Sequence, residues 1–188
     1  MDLHTGKNFS LCNSPKRHKS DFYQTPYCLT DLLLTVEKFE GSILEPACGQ
    51  LAIVNRLPYC TRYYDKDVDF LQETTRYDNI ITNPPFSLAK EFILKAKEIC
   101  DKKFVFLLPI SYLHGKERYD IIWTDKKFPL RTVYVFTRYP LLEDTVRPDG
   151  KCKTGMMVYA WFVWDKNYEG DPTIQWLDID EYIVKGER

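Results

Sequence analysis

Short apolar runs alternate with amphipathic stretches along most of this chain, and the alternation predicts a succession of strands and helices. Thr25-Pro26 reads as a helix cap followed by proline at the first helical position. Leu29, Leu32, Leu33 and Val36 then form one apolar stripe at helical spacing, and Gly41 is expected to stop that helix. Residues 42–44 read as a first strand, 51–57 as a short helix broken by Pro58, 62–64 as a second strand and 77–82 as another. Residues 87–100 predict a helix with Leu88, Phe92, Ala96 and Ile99 on one face. Residues 103–108 are an apolar strand closed by Pro109, and 112–123 read as helical. After that the pattern changes. Residues 132–137 and 156–164 are β-rich runs with no helix between them, which predicts a terminal antiparallel pair. Strands alternating with helices argue for an α/β, doubly wound, Rossmann-like sheet.

Composition narrows the picture without redirecting it. The 188 residues suit one domain, and 44% hydrophobic with 28% charged residues is ordinary for a globular protein. A net charge of -1 gives no global field toward nucleic acid, so a nucleic-acid surface has to be a local patch. The cysteines Cys12, Cys28, Cys48, Cys60, Cys100 and Cys152 form no CxxC pair. They suggest neither a zinc site nor a disulfide framework, and reduced thiols in a cytoplasmic protein fit best. The longest strongly apolar run, residues 104–108, is far too short to span a membrane, and no apolar signal core is seen at the start. Residues 1–20, with Lys16-Arg17-His18-Lys19, read as a mobile basic arm. The main domain is expected over 21–170, with 171–188 as a C-terminal extension.

The most distinctive chemistry lies in Asn83-Pro84-Pro85-Phe86, where an apolar strand ends and a helix begins. Ligands in open α/β sheets sit at the carboxyl ends of strands. Asn83 offers a side-chain carbonyl and Pro84 a backbone carbonyl with no helical obligation. Two acceptors aimed at one amino group can draw its nitrogen out of conjugation with a ring. Phe86 offers an aromatic face to a base taken out of its stack. Asparagine and proline also serve simply to start helices, so the tetrapeptide has a structural reading too.

Three upstream features come in a meaningful order. Glu45-Pro46-Ala47-Cys48-Gly49 comes after the first strand, where glycine lets backbone approach a ligand and a carboxylate can bind a cation. Asp65 ends the second strand, at the spacing from which an acidic residue reaches ribose hydroxyls in dinucleotide folds; Asp67 competes for that role. Asp69 could accept from an exocyclic amine, and Phe70 could cover an adenine face.

Taken together, Phe22-Tyr23-Gln24-Thr25-Pro26, Glu45-Pro46-Ala47-Cys48-Gly49, Asp65, Asp69-Phe70-Leu71 and Asn83-Pro84-Pro85-Phe86 resemble the S-adenosylmethionine-dependent DNA adenine-N6 methyltransferases, in particular the small phage and prophage members. The resemblance covers about residues 21–165, including the strand Tyr159-Ala160-Trp161-Phe162-Val163-Trp164. It implies a seven-stranded, mostly parallel sheet with a terminal antiparallel pair, and S-adenosylmethionine as cofactor. It implies Glu45 at the methionine amino group with Pro46, Ala47, Cys48 and Gly49 beside it, Asp65 on ribose, and Asp69 and Phe70 at the cofactor adenine. Tyr23, Gln24, Thr25 and Pro26 would close over the methionine end. Asn83, Pro84, Pro85 and Phe86 would hold the target adenine of DNA, with Asn83 also bordering the cofactor.

The chain departs from the family in two respects. Leu51 stands where the family's second glycine is usual. There is also little room for a target-recognition domain; the candidate is the 126–153 region with Arg131, Arg138, Arg147, Lys151 and Lys153. A homodimer or a specificity-providing partner is one way to supply recognition. RNA adenine or another planar amine or amide is the alternative substrate, and a cofactor-binding subunit that needs a partner for activity is the alternative role.

Overall fold

The computed structural model describes residues 24–138 and 158–180. The proposed arm at 1–20, Tyr23, and Arg147, Lys151 and Lys153 lie outside the described residues. Seven strands form one sheet: β1 (Ile43–Glu45), β2 (Arg62–Tyr63), β3 (Tyr77–Thr82), β4 (Cys100–Pro109), β5 (Leu130–Phe136), β6 (Tyr159–Asp165) and β7 (Thr173–Leu177). Their order is β2-β1-β3-β4-β6-β5-β7. Only β6 runs against the rest; it pairs antiparallel with both β4 and β5. The antiparallel pair expected from the sequence is therefore present. One further strand, β7, lies beyond it, parallel to β5, within the stretch read as an extension.

Alternation within the strands divides the core between two helices. Phe104, Phe106 and Leu108 of β4 pack on one side with Leu44, Ile80 and the apolar face of α2 (Ala89–Ile99), carried by Phe92, Ile93, Ala96 and Ile99. Val105 and Leu107 point the other way, to Ile43, Ile81, Trp161 and the Leu29, Leu32 and Leu33 stripe of α1 (Tyr27–Val36). Strand side chains alternate with period two, so one buried strand serves both layers. Trp161 also ties α1 down directly, because its indole Nε1–H donates to the Leu29 carbonyl at 2.8 Å.

The helical expectations shift in detail. α1 starts one residue later than the cap reading gives and ends at Val36, well before Gly41. It stops where Glu37 turns to extended backbone and its carboxylate enters a buried ionic cluster. The 51–57 segment makes turns and one short 3-10 turn, Val54–Arg56. The 112–123 segment is broken: Gly115 at φ 127° interrupts it, and a π turn, Tyr119–Trp123, comes after.

Candidate active site

The carboxyl ends of β1 and β3 lie side by side, and the loops leaving these two strands build the site. Glu45, the last residue of β1, is fully buried. Its Oε1 accepts from the Ala47 N–H at 2.9 Å, which folds the chain back over the strand end. Its Oε2 is buried and has no hydrogen-bond partner. The carboxyl is pushed up to about 8, chiefly by burial and in smaller part by the nearby Asp65, against the opposing pull of the Thr82 hydroxyl and the Ala47 N–H. The Thr82 hydroxyl ends β3 and is likewise buried with no hydrogen-bond partner, close enough to ease the Glu45 charge but outside bonding geometry. Two orphan polar atoms buried at one strand end form a cradle that a cationic donor would satisfy.

The loop after Glu45 keeps a tight course. Pro46 is buried, and the Cys48 N–H donates to the Tyr64 carbonyl at 3.0 Å, joining this loop to the end of β2 beside Asp65. Gly49 takes φ 47° and Leu51 φ 64°, and the Leu51 N–H closes a turn on the Cys48 carbonyl at 2.7 Å. Leu51 thus adopts the left-handed conformation that glycine takes freely. A leucine holds that conformation at a steric cost. The Cys48 thiol is raised by burial, then by Glu45 and Asp65, so it remains protonated and is a poor nucleophile.

Asp65 is half-buried next to this loop, whereas Asp67 is exposed. The Asp65 carbonyl accepts from Val68 N–H at 2.9 Å, turning the chain toward Asp69. Asp69 is exposed and caps a 3-10 turn, with its carboxylate accepting from the Leu71 N–H at 2.9 Å. Phe70 is buried to 2% exposure, its ring packed on Phe92 of α2 at 4.7 Å. That ring is a core residue in this fold, and Ala47 packs on the same cluster.

On the other side stands the tetrapeptide. Pro84 is buried, and the Pro85 carbonyl accepts from the Leu88 N–H at 2.9 Å to start the Phe86–Leu88 turn that leads into α2. The helix therefore engages the carbonyl of Pro85, not that of Pro84. The Asn83 side-chain Nδ2–H donates to Thr25 Oγ1 at 3.1 Å, and Thr25 is buried just ahead of α1. Gln24 and Pro26 flank it, partly exposed. Phe86 stacks on Tyr159 at 5.5 Å and 29°. Tyr159 opens β6 opposite Pro109 of β4.

The structure thus brings Thr25, Glu45, Ala47, Cys48, Asp65 and Asn83 into one neighbourhood. It adds Thr82 and Tyr159, which sequence reasoning passed over. Thr82 could have been flagged as the hydroxyl directly before Asn83; Tyr159 had no local signal, since its partner is 73 residues upstream. Arg131 pairs with Glu37 and Asp165 at the amino ends of the parallel strands, away from the strand ends that carry Glu45 and Asn83. Arg138 pairs with Asp180. Among the described residues no group of His, Cys, Asp and Glu side chains is arranged to hold a metal ion, and no helix is long and apolar enough to cross a membrane.

No protein-family model matches the chain, and no curated protein sequence does either. Solved structures do. A protein from Listeria monocytogenes assigned to the class I S-adenosylmethionine-dependent methyltransferases is 13% identical, with a TM-score of 0.58 over 91% of this chain and 72% of that one. A protein from Pyrococcus horikoshii assigned as an RNA methyltransferase is 15% identical, with a TM-score of 0.51 over 73% of this chain and 81% of the other. The M protein of the type I restriction enzyme EcoKI is 12% identical, with a TM-score of 0.53; the match takes in 86% of this chain but only 49% of that protein. At these identities the likeness is one of fold: a Rossmann-like α/β sheet of the kind found in S-adenosylmethionine-dependent methyltransferases.

Proposed function

We propose that this protein transfers a methyl group from S-adenosylmethionine to the exocyclic N6 amine of adenine in DNA. The observation that carries the reading is the pairing of two dissimilar strand ends. Buried Glu45, with an orphan oxygen, closes β1, and Asn83, held through its amide nitrogen, comes directly after β3. The first suits a cationic amino group, and the second suits a planar amine. The Glu45 and Thr82 cradle fits the methionine ammonium of the cofactor, and Asp65 suits its ribose.

When bound, the cofactor supplies an electrophilic methyl on a sulfonium. The chain has only to align the acceptor, which is a proximity task. The Asn83 amide oxygen and the Pro84 carbonyl accept the two N6 hydrogens, so the amine lone pair turns toward the methyl. Positive charge that develops on nitrogen is stabilised by those two dipoles. Asn83 is neutral and removes no proton; the extra proton leaves to water after transfer. Phe86, with Tyr159 behind it, gives the extruded base a face to stack on.

A second reading has one observation in its favour. Arg131 and Arg138, the described arginines of the candidate recognition region, are both engaged with acids of the chain itself. Grip on nucleic acid would then come from a partner, and the chain would be a cofactor-binding subunit. The test is transfer of labelled methyl from S-adenosylmethionine by the purified protein to duplex DNA and, separately, to RNA. N6-methyladenine in hydrolysed DNA supports the proposal. Label in RNA alone moves the substrate to RNA, and cofactor binding without transfer to either supports the subunit reading.

A further inference from the structure

We infer that Thr25 is a positioning residue for Asn83, setting the plane and orientation of the amide that meets the target amine. The inference rests on the proposed reading of Asn83 and assigns Thr25 to the target side of the site, where resemblance alone would put it at the cofactor. The Asn83 Nδ2–H to Thr25 Oγ1 contact of 3.1 Å joins residues 58 apart in sequence. Thr25 is 4% exposed, so water is a poor substitute for its hydroxyl. An asparagine amide is planar with a donor at one end and an acceptor at the other. Seating the nitrogen on Thr25 puts the oxygen at the opposite end of the plane, where an amine donor needs it. A flipped amide would present N–H to N–H and repel the substrate.

Thr25 can hold the amide in that plane because its own place is fixed. The next residue is Pro26, whose carbonyl accepts from the Leu29 N–H at 3.1 Å to begin α1. Leu29 is fully buried, and its carbonyl receives the Trp161 indole N–H at 2.8 Å. The anchor therefore runs from β6 through the first turn of α1 to Thr25 and then to Asn83. Asn83 itself has proline on its C-terminal side, which restricts its backbone to extended conformations and leaves the side-chain torsions as the freedom to be removed.

The test compares Thr25→Val, which keeps the shape and loses the acceptor, with Thr25→Ser, which keeps the acceptor. Three quantities are read: single-turnover transfer to adenine-containing duplex DNA, cofactor affinity by calorimetry, and the Asn83 side-chain amide resonances by NMR, identified by their loss in Asn83→Ala. Thr25→Val is expected to slow transfer by up to about 100-fold, the scale of a small misplacement in an aligned transfer. Its cofactor affinity should stay within about twofold, and its Asn83 amide protons should shift and exchange faster. Thr25→Ser should restore both rate and resonances, and Thr25→Val should add little in an Asn83→Ala background. Should Thr25→Val fold poorly, Thr25→Ala takes its place beside Thr25→Ser.

Wild-type transfer in Thr25→Val, an unchanged Asn83 amide, or equal damage from valine and serine would overturn the positioning role. So would a loss of cofactor affinity matching the loss of rate. A wild-type rate in Asn83→Ala would instead overturn the proposed reaction itself. The NMR comparison still decides the Thr25–Asn83 link in that case.

Discussion

Two buried glutamates, at opposite ends of the same sheet, are treated in opposite ways. Glu37, 3% exposed, sits at the amino ends of the parallel strands, where Arg131 and Tyr134 meet its Oε1 and Lys103 meets its Oε2 at 2.7 Å. Glu45, fully buried at a carboxyl end, has one backbone N–H on Oε1 and no hydrogen bond on Oε2. At the first end the chain neutralises its own charge, and the result is structure. At the second it buries a carboxyl group that burial holds protonated up to about 8, and leaves the cation that would draw out its charge to come from elsewhere. A buried group that is under-satisfied at a strand's carboxyl end is where a ligand site is expected in an open α/β sheet.

The largest effect should come from breaking the satisfied end. Glu37→Ala leaves Lys103, 14% exposed at the side chain, without its carboxylate and Arg131, 23% exposed, with Asp165 in place of two acids. Stability should fall by about 3–5 kcal/mol, the cost of removing one member of a buried ionic pair. Urea unfolding measures this, and cofactor affinity in the folded fraction should hold.

Glu45→Gln should do the reverse. Cofactor affinity should drop by about 2–5 kcal/mol, as when a buried charge loses its counterpart. Stability without added cofactor should improve at alkaline pH. The sign comes from the raised carboxyl: the unfolded chain gives up this proton near the ordinary 4.5 and the folded one only near 8. Its favourable contribution is full below about 4.5 and is lost as pH climbs through about 8. The wild type should therefore lose stability over that window relative to Glu45→Gln. Equal pH profiles in unfolding experiments would remove Glu45 from the comparison.

Two smaller effects sharpen the picture around the carboxyl ends. Asp65→Ala should weaken cofactor binding by about 1–3 kcal/mol, the scale of a lost hydrogen-bonded charge. Unchanged affinity by calorimetry would move the ribose role to Asp67 or remove it. Phe86→Ala should weaken capture of target DNA by about 1–3 kcal/mol, one stacking contact. The loss should be smaller for a mismatched adenine, since extrusion then costs less. An equal loss on both would make Phe86 a packing partner of Tyr159 and nothing more.

The contrast also explains what could be read from the sequence and what could not. Strands with near-continuous apolar runs, such as the ends of β3 and β4, stood out because both faces of the sheet are covered. β7 did not: Ile174 and Trp176 are 53% and 68% exposed, so the strand carries little burial pattern and is held by its register with β5. At the site, Glu45 and Asn83 were legible because strand ends that lead into glycine or proline are local signals. The Thr25–Asn83 and Phe86–Tyr159 contacts join distant segments and leave no periodic trace. The Arg131 pairing was hidden for the same reason. A basic residue in a charged loop reads as surface until its partner, Glu37, is brought 94 residues across the chain.

The central claim is that Glu45 serves the cofactor while Asn83 serves the amine that receives the methyl. Single-turnover methylation of adenine-containing DNA by Asn83→Ala, beside cofactor titration of the same protein, tests it most directly. The account predicts a rate lower by about 100-fold or more, the scale of losing one preorganised transition-state partner, with cofactor affinity nearly unchanged. A wild-type rate would reduce Asn83-Pro84-Pro85-Phe86 to a helix start and contradict the account.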